Sequence, residues 1–294
     1  MHEKEVKTIL SPSNGMNLYR GCLHGCIYCD ARSKCYNMQH DFEDIEIKSN
    51  AISLLEQALI HKRNRGMIGT GAMSDPYIPI EKNLEHTRKS LELIERYGYG
   101  VAIQTKSDLI LRDLDLLDRI NRKTKCVVQI TMTTYDDELC KRIEPNVCVT
   151  SRRAEVLRIM RDHGIPTIVW MTPILPFIND TEENIRGLLS YCVEASVYGI
   201  LLWNMGVTLR EGDREYFYQQ LDKHFPGLKE QYIKTYGNQY EVVSSKNRDL
   251  MQIVRETCKK HQIVNNVDAL FRYMKEFEEK DKMEQMSLFD LFPL

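Results

Sequence analysis

Short apolar runs alternate with stretches of helical periodicity from about residue 50 to residue 225. Ala51, Leu54, Leu55, Ala58 and Leu59 recur at helical spacing and predict a helix over 50–61. Residues 67–73 read as a short buried strand, and 83–97 as a helix with Leu84, Thr87, Leu91 and Ile94 on one face. A strand over 101–103, a helix over 111–120 and a strand over 126–132 follow. Residues 136–143 and 151–163 read as helices, the second capped by Ser151. A strand over 165–171 stops at Pro173 and Pro176. Thr181 caps a helix to residue 195, and 199–203 reads as the last strand. Strands alternating with helices of this length imply repeated βα units on a parallel sheet. Six units fit between residues 17 and 225, and right-handed crossovers would curve them into an open barrel.

Beyond residue 225 the alternation stops, and 228–236, 247–261 and 268–280 read as helices. The expected organisation is therefore a barrel over 1–225, a helical extension over 226–280 covering one end of it, and a flexible tail over 281–294. The 294 residues carry 40 Lys and Arg against 42 Asp and Glu, a net charge of −2. That excludes a generally basic coat for nucleic acid, so any such contact needs a local patch. No apolar run approaches a membrane span, and the first residues lack the apolar core of a signal peptide. A cytoplasmic location is expected.

Nine cysteines, an odd number, argue against a disulfide framework in such a chain. Six are scattered: Cys35, Cys126, Cys140, Cys148, Cys192 and Cys258 read as small buried hydrophobes. Cys22, Cys26 and Cys29 stand apart, spaced C-x3-C-x2-C with Gly21 and Gly25 between and before them. Three close thiolates need a cation, and soft sulfur ligands favour zinc or iron–sulfur. Zinc would need a fourth ligand, which Cys35 or His24 could supply, but no second Cys or His pair follows. Three cysteines on a four-iron cluster leave one iron open for a ligand.

This spacing, with the aromatic Tyr28 before the last cysteine and its place near the N-terminus, resembles the radical S-adenosylmethionine (SAM) superfamily. The resemblance implies a partial (β/α)6 TIM-type barrel in the α/β class. It also implies a 4Fe–4S cluster on Cys22, Cys26 and Cys29, SAM as co-substrate, and an electron donor such as flavodoxin or ferredoxin. In parallel barrels, ligands bind where loops leave the C-terminal ends of strands. Lys106, at the third exit, is the Lys or Arg placed to meet the SAM carboxylate. Ser74 and Asp75 could accept from its amino group, Thr131 could meet the ribose, and Tyr28 could lie against the adenine.

Within the superfamily, residues 14–210 are most similar to the spore photoproduct lyase family of DNA repair photolyase-like proteins. The likeness rests on the segments 17–32, Ser74-Asp75-Pro76-Tyr77, Thr105-Lys106-Ser107, Ile143-Glu144-Pro145 and the Pro173/Pro176 stretch. It supports Ser74, Asp75 and Lys106 as SAM-site residues. Where that family has a hydrogen-donating cysteine before its Ser-Asp pair, this chain has Ala72 and Met73. True spore photoproduct lyase activity is therefore not expected; Cys35 and Cys140 are the alternative thiols. The expected function is reductive cleavage of SAM to a 5′-deoxyadenosyl radical, acting on damaged or modified nucleic acid. The alternatives are RNA, a peptide or a metabolite as substrate, or a non-catalytic zinc-stabilised adaptor. Gln285, Met286, Ser287, Leu288 and Phe289 resemble the pentapeptide that docks bacterial DNA enzymes on the sliding clamp, with a Leu-Phe pair as anchor.

Overall fold

The computed structural model describes residues 1–280. Three short strands, β1 (His2–Lys4), β2 (Gly15–Met16) and β3 (Tyr19–Arg20), precede the cysteine loop, and β4 (Glu46–Lys48) follows it. The repeating part comprises α1 (Ala51–His61), β5 (Met67–Thr70), α2 (Glu81–Leu84), α3 (His86–Arg96), β6 (Gly100–Thr105), α4 (Leu114–Lys123) and β7 (Cys126–Thr131). It continues through α5 (Asp137–Ile143), α6 (Thr150–Asp162), β8 (Thr167–Trp170), α7 (Glu182–Glu194) and β9 (Gly199–Leu201). Then come β10 (Gly206–Thr208), α8 (Asp213–His224), α9 (Leu228–Tyr236), β11 (Glu241–Val243), α10 (Asn247–His261) and α11 (Val267–Lys275).

The main sheet has six strands in the order β2-β5-β6-β7-β8-β9, and every pairing in it is parallel. This is the open α/β barrel that the βα rhythm implies, with helices packed outside. The central strand β7 is buried at all its residues, as a strand covered on both faces must be. On α4, Leu116, Leu117 and Ile120 face inward and are almost fully buried, each worth roughly 1.5–3 kcal/mol of apolar burial.

Side chains alternate across each strand. On the inner face, Met67, Ala102, Val127, Ile168 and Leu201 form an apolar layer, completed by Leu270 and Met274 of α11. The residues two further along, Gln104 on β6 and Gln129 on β7, are polar, and so are Lys106 and Thr131 beyond them. The barrel interior is thus sealed below by α11 and polar above, which places the site at the strand ends.

Local expectations change at several points: the helix expected over 268–280 ends at Lys275, and the extension expected to be helical over 226–280 contains the strand β11. The helix over 83–97 divides at Glu85, which takes a left-handed φ of 55°. The buried Glu81 carboxylate there accepts from Thr87 N at 3.0 Å, from Arg112 at 2.9 Å, and from the Tyr19 hydroxyl. Ser151 does not cap α6: it lies inside the first turn, and its backbone N–H donates to Asp137 at 3.0 Å. The small sheet β1-β4-β3 is absent from the periodicity, because its strands are short and largely polar. Thr181 does cap α7, accepting from Asn184 N at 3.2 Å.

Candidate active site

The cysteine loop leaves β3 through Gly21 and turns again at Gly25, with φ of +91° and +71°, conformations that favour glycine. Gly21 lies directly against the Phe42 carbonyl, and Cys22 N donates to that oxygen at 3.2 Å. The far side of the loop is tied to the segment after α5. Ile27 N donates to Ile143 O at 3.0 Å, Asn146 N to His24 O at 3.1 Å, and Asn146 Nδ2 to Leu23 O at 2.8 Å.

Cys22, Cys26, Tyr28, Cys29, Ser74, Asp75, Lys106 and Thr131 all line one cavity of about 550 Å3 at the strand ends. That volume is in the range of small-molecule sites. Burial raises all three thiols, Cys22 to about 12, while Lys106 is a charge that lowers each. A bound cation would reverse that preference and hold them as thiolates. A tetrahedral zinc with bonds of about 2.3 Å would hold its sulfurs roughly 3.8 Å apart. Among the described residues, the only trio of His, Cys, Asp or Glu ligand atoms within 4.8 Å of one another lies elsewhere, at His2, His40 and Glu46. The other zinc ligands considered have other partners: His24 Nε2 lies 3.0 Å from Asp75, and Cys35 Sγ lies 3.3 Å from Arg210.

Asp75 is buried and holds three strand exits together. One oxygen accepts from Tyr77 N at 2.8 Å and Thr105 Oγ1 at 2.7 Å; the other accepts from Lys106 N at 2.8 Å. Burial alone would raise its carboxyl, but the His24 imidazole and these hydrogen bonds outweigh it and hold the group near about 2. Ser74 Oγ donates to Gly21 O at 2.6 Å, joining the second exit to the cysteine loop. The Lys106 ammonium stands 5.9 Å from the centre of the Tyr28 ring.

Behind this wall lies a buried network whose pairing the sequence does not announce, although Tyr28 and Glu144 lie in the segments that carry the family likeness. Tyr28 donates its phenol to Glu144, and Glu144 pairs with Arg153 at 2.6 Å. Arg153 also donates to Thr131 O and Cys148 O, each at 3.0 Å. It thereby connects the cysteine loop to the end of β7. The cavity mouth adds Trp170, Trp203, Arg210, Tyr240 and Glu241. Trp203 is half exposed and 5.7 Å from Trp170, whose Nε1 donates to Gln129 at 2.8 Å. Trp203 ends the strand expected over 199–203 and so stands at its exit; Arg210, after β10, carries no periodic signal.

A parallel open barrel with a three-cysteine loop at its strand ends defines the class of protein. A family model for the radical SAM superfamily matches residues 16–189, and the chain belongs to that superfamily. Its cofactors are a 4Fe–4S cluster and SAM. An uncharacterised protein of Methanocaldococcus jannaschii is 33% identical over 169 residues, covering 57% of this chain and 62% of that protein. An uncharacterised protein of Mycobacterium tuberculosis is 27% identical over 227 residues, covering 75% of this chain and 66% of that one. The chain thus spans slightly less than two thirds of these relatives' length. Spore photoproduct lyase, solved in complex with dinucleoside spore photoproduct, superposes with a TM-score of 0.64 at 16% identity. The match covers 88% of this chain and 78% of that one.

Proposed function

We propose that this radical SAM enzyme acts on a base in damaged or modified nucleic acid, with the cluster on Cys22, Cys26 and Cys29. When bound, the reduced cluster and SAM supply a 5′-deoxyadenosyl radical. The observation that carries the assignment is the convergence of eight residues from separate strand exits on one cavity. Lys106 offers the SAM carboxylate a cation next to the Tyr28 ring, and Thr131 offers a hydroxyl at the end of β7. Ser74 and Asp75 stand beside the amino group's place, and their hydrogen bonds to Gly21 and Lys106 fix the distance between loop and cation.

The outer cavity supports a flat, aromatic substrate. Trp203 and Tyr240 are both about half exposed at the mouth, and Arg210 donates to the Tyr240 hydroxyl at 2.6 Å. Base stacking on such rings is worth about 1–3 kcal/mol per base and needs no basic coat. A base inside a duplex is out of reach, so the substrate would be single-stranded or flipped out. The neighbouring fold of spore photoproduct lyase holds a dinucleoside, which agrees with this reading. The spore photoproduct itself is a poor fit, because Ala72 and Met73 line the cavity and its only cysteines are Cys22, Cys26 and Cys29. Cys140 is fully buried, with Sγ 3.5 Å from Glu144, and Cys35 is exposed beside Arg210. Flavodoxin or ferredoxin would deliver the electron. The clamp-like residues Gln285, Met286, Ser287, Leu288 and Phe289 lie outside the described residues; we assign them to docking on a sliding clamp.

The test is anaerobic incubation of reconstituted protein with SAM and dithionite, measuring 5′-deoxyadenosine. Single-stranded oligonucleotides bearing lesions should raise its formation well above background, and Trp203→Ala should reduce that stimulation without altering iron content. Stimulation by a peptide or free metabolite and not by any oligonucleotide would overturn the nucleic-acid reading. Multiple clean turnovers on spore photoproduct DNA would overturn the argument from Ala72 and Met73.

A further inference from the structure

A second set of ligand atoms lies away from the cysteine cavity, in the small sheet at the N-terminus. β1 runs parallel to β4 with His2 opposite Glu46, and His40 comes in from the end of the cysteine loop. One ligand atom from each of the three lies within 4.8 Å of the other two. His2 Nε2 and His40 Nε2 each stand 3.9 Å from Glu46 Oε2. The two rings meet edge to face with centres 4.8 Å apart.

Each imidazole is oriented from behind. His2 Nδ1 lies 2.9 Å from Asp44 Oδ2, and His40 Nδ1 lies 3.0 Å from Asp41 O. An acceptor at Nδ1 fixes the proton there, so the Nε2 lone pair of each ring faces Glu46. A carboxylate or carbonyl behind the ring is the arrangement that orients metal-bound histidines. His40 Nε2 is buried and has no hydrogen-bond partner. Glu46 is also buried, and its Oε2 accepts from Lys4 Nζ at 2.9 Å. Two imidazole nitrogens and a carboxylate oxygen thus converge on one point, with the Lys4 ammonium beside the carboxylate and Arg20, opposite Glu46 on β3, adding a second positive charge.

We propose that His2, His40 and Glu46 form a site for a divalent first-row transition cation such as zinc, separate from the cluster. Two imidazoles and a carboxylate suit this class of ion, with bonds of about 2.0–2.2 Å and a further position for water. Ligand atoms around such an ion stand about 3.3 Å apart, so the two 3.9 Å gaps need to close by roughly half an ångström. Lys4 would leave Glu46 as the cation enters. The bound ion would fasten β1 to the strand on which the cysteine loop returns.

The test uses reconstituted holoprotein with an untagged N-terminus, dialysed anaerobically against micromolar zinc. One zinc per chain should be retained alongside the iron. His40→Ala and Glu46→Gln should each weaken zinc binding at least tenfold with iron and sulfide contents unchanged. Lys4→Ala should strengthen it. Cobalt in place of zinc should show the weak visible bands of nitrogen and oxygen ligation. Equal zinc uptake by wild type and His40→Ala, no uptake by wild type, or an intense thiolate-to-cobalt band would overturn the proposal.

Discussion

Replacing Glu144 by Gln tests the network behind the cavity. The substitution keeps the shape and an acceptor for the Tyr28 phenol, but removes the negative charge facing Arg153. Arg153 is fully buried, and among the described residues its guanidinium has Glu144 as its one ion-pair partner, at 2.6 Å. The carbonyls of Thr131 and Cys148 remain, but neither carries a charge. Leaving a buried cation without its partner costs about 3–5 kcal/mol. Urea unfolding of the metal-free protein should show this as a lower midpoint with an unchanged slope. The double variant Glu144→Leu with Arg153→Met should recover most of the loss, since no buried charge is left. It should retain a cost of about 1–3 kcal/mol for the phenol left without an acceptor. A loss under about 1 kcal/mol for Glu144→Gln, or a double variant as unstable as both single variants summed, would refute the argument.

Lys106→Ala should weaken SAM binding roughly ten- to hundredfold with the cluster intact, as expected for losing a charge-assisted contact of about 1.5–3 kcal/mol; anaerobic calorimetry would measure it. Asp213 is buried, and burial, then the nearby Asp30, outweigh the backbone N–H groups of Arg210 and Arg214 and raise its carboxyl to about 7. Its folded state holds the proton where an unfolded Asp has lost it, so stability should fall as pH rises from about 4 to about 7. Asp213→Asn should remove that fall and raise the melting temperature more at pH 8 than at pH 5. A peptide of residues 282–294 should bind a bacterial sliding clamp at micromolar affinity, about −8 kcal/mol, and Leu288→Ala with Phe289→Ala should abolish binding.

The barrel is legible in the sequence because parallel strands buried on both faces read as short, largely apolar runs, as 126–132 does despite Gln129 and Thr131. The cysteine triad is legible because its ligands are close in sequence. The Glu144–Arg153 pair is not: Glu144 stands out only through the family likeness, and Arg153 reads as helix surface until β7 and the cysteine loop close over them. His2 and Glu46 are 44 positions apart, and their pairing depends on a parallel register that three polar residues do not announce. Arg210 reaches the cavity only because β10 pairs with the distant β11, carrying the following residues back over the mouth.

The seal of the barrel by α11 also decides where the rest of the chain starts. Past α11, the Lys125 ammonium meets Glu278 at 2.8 Å, and Lys280 N donates to Lys123 O at 2.9 Å. Both anchor points precede β7, so the polypeptide departs from the back of the molecule, opposite the mouth where Trp203 and Arg210 stand. A protein of this size is roughly 40 Å across. A partner bound close to residue 280 would therefore meet the enzyme from behind and leave its opening turned outward.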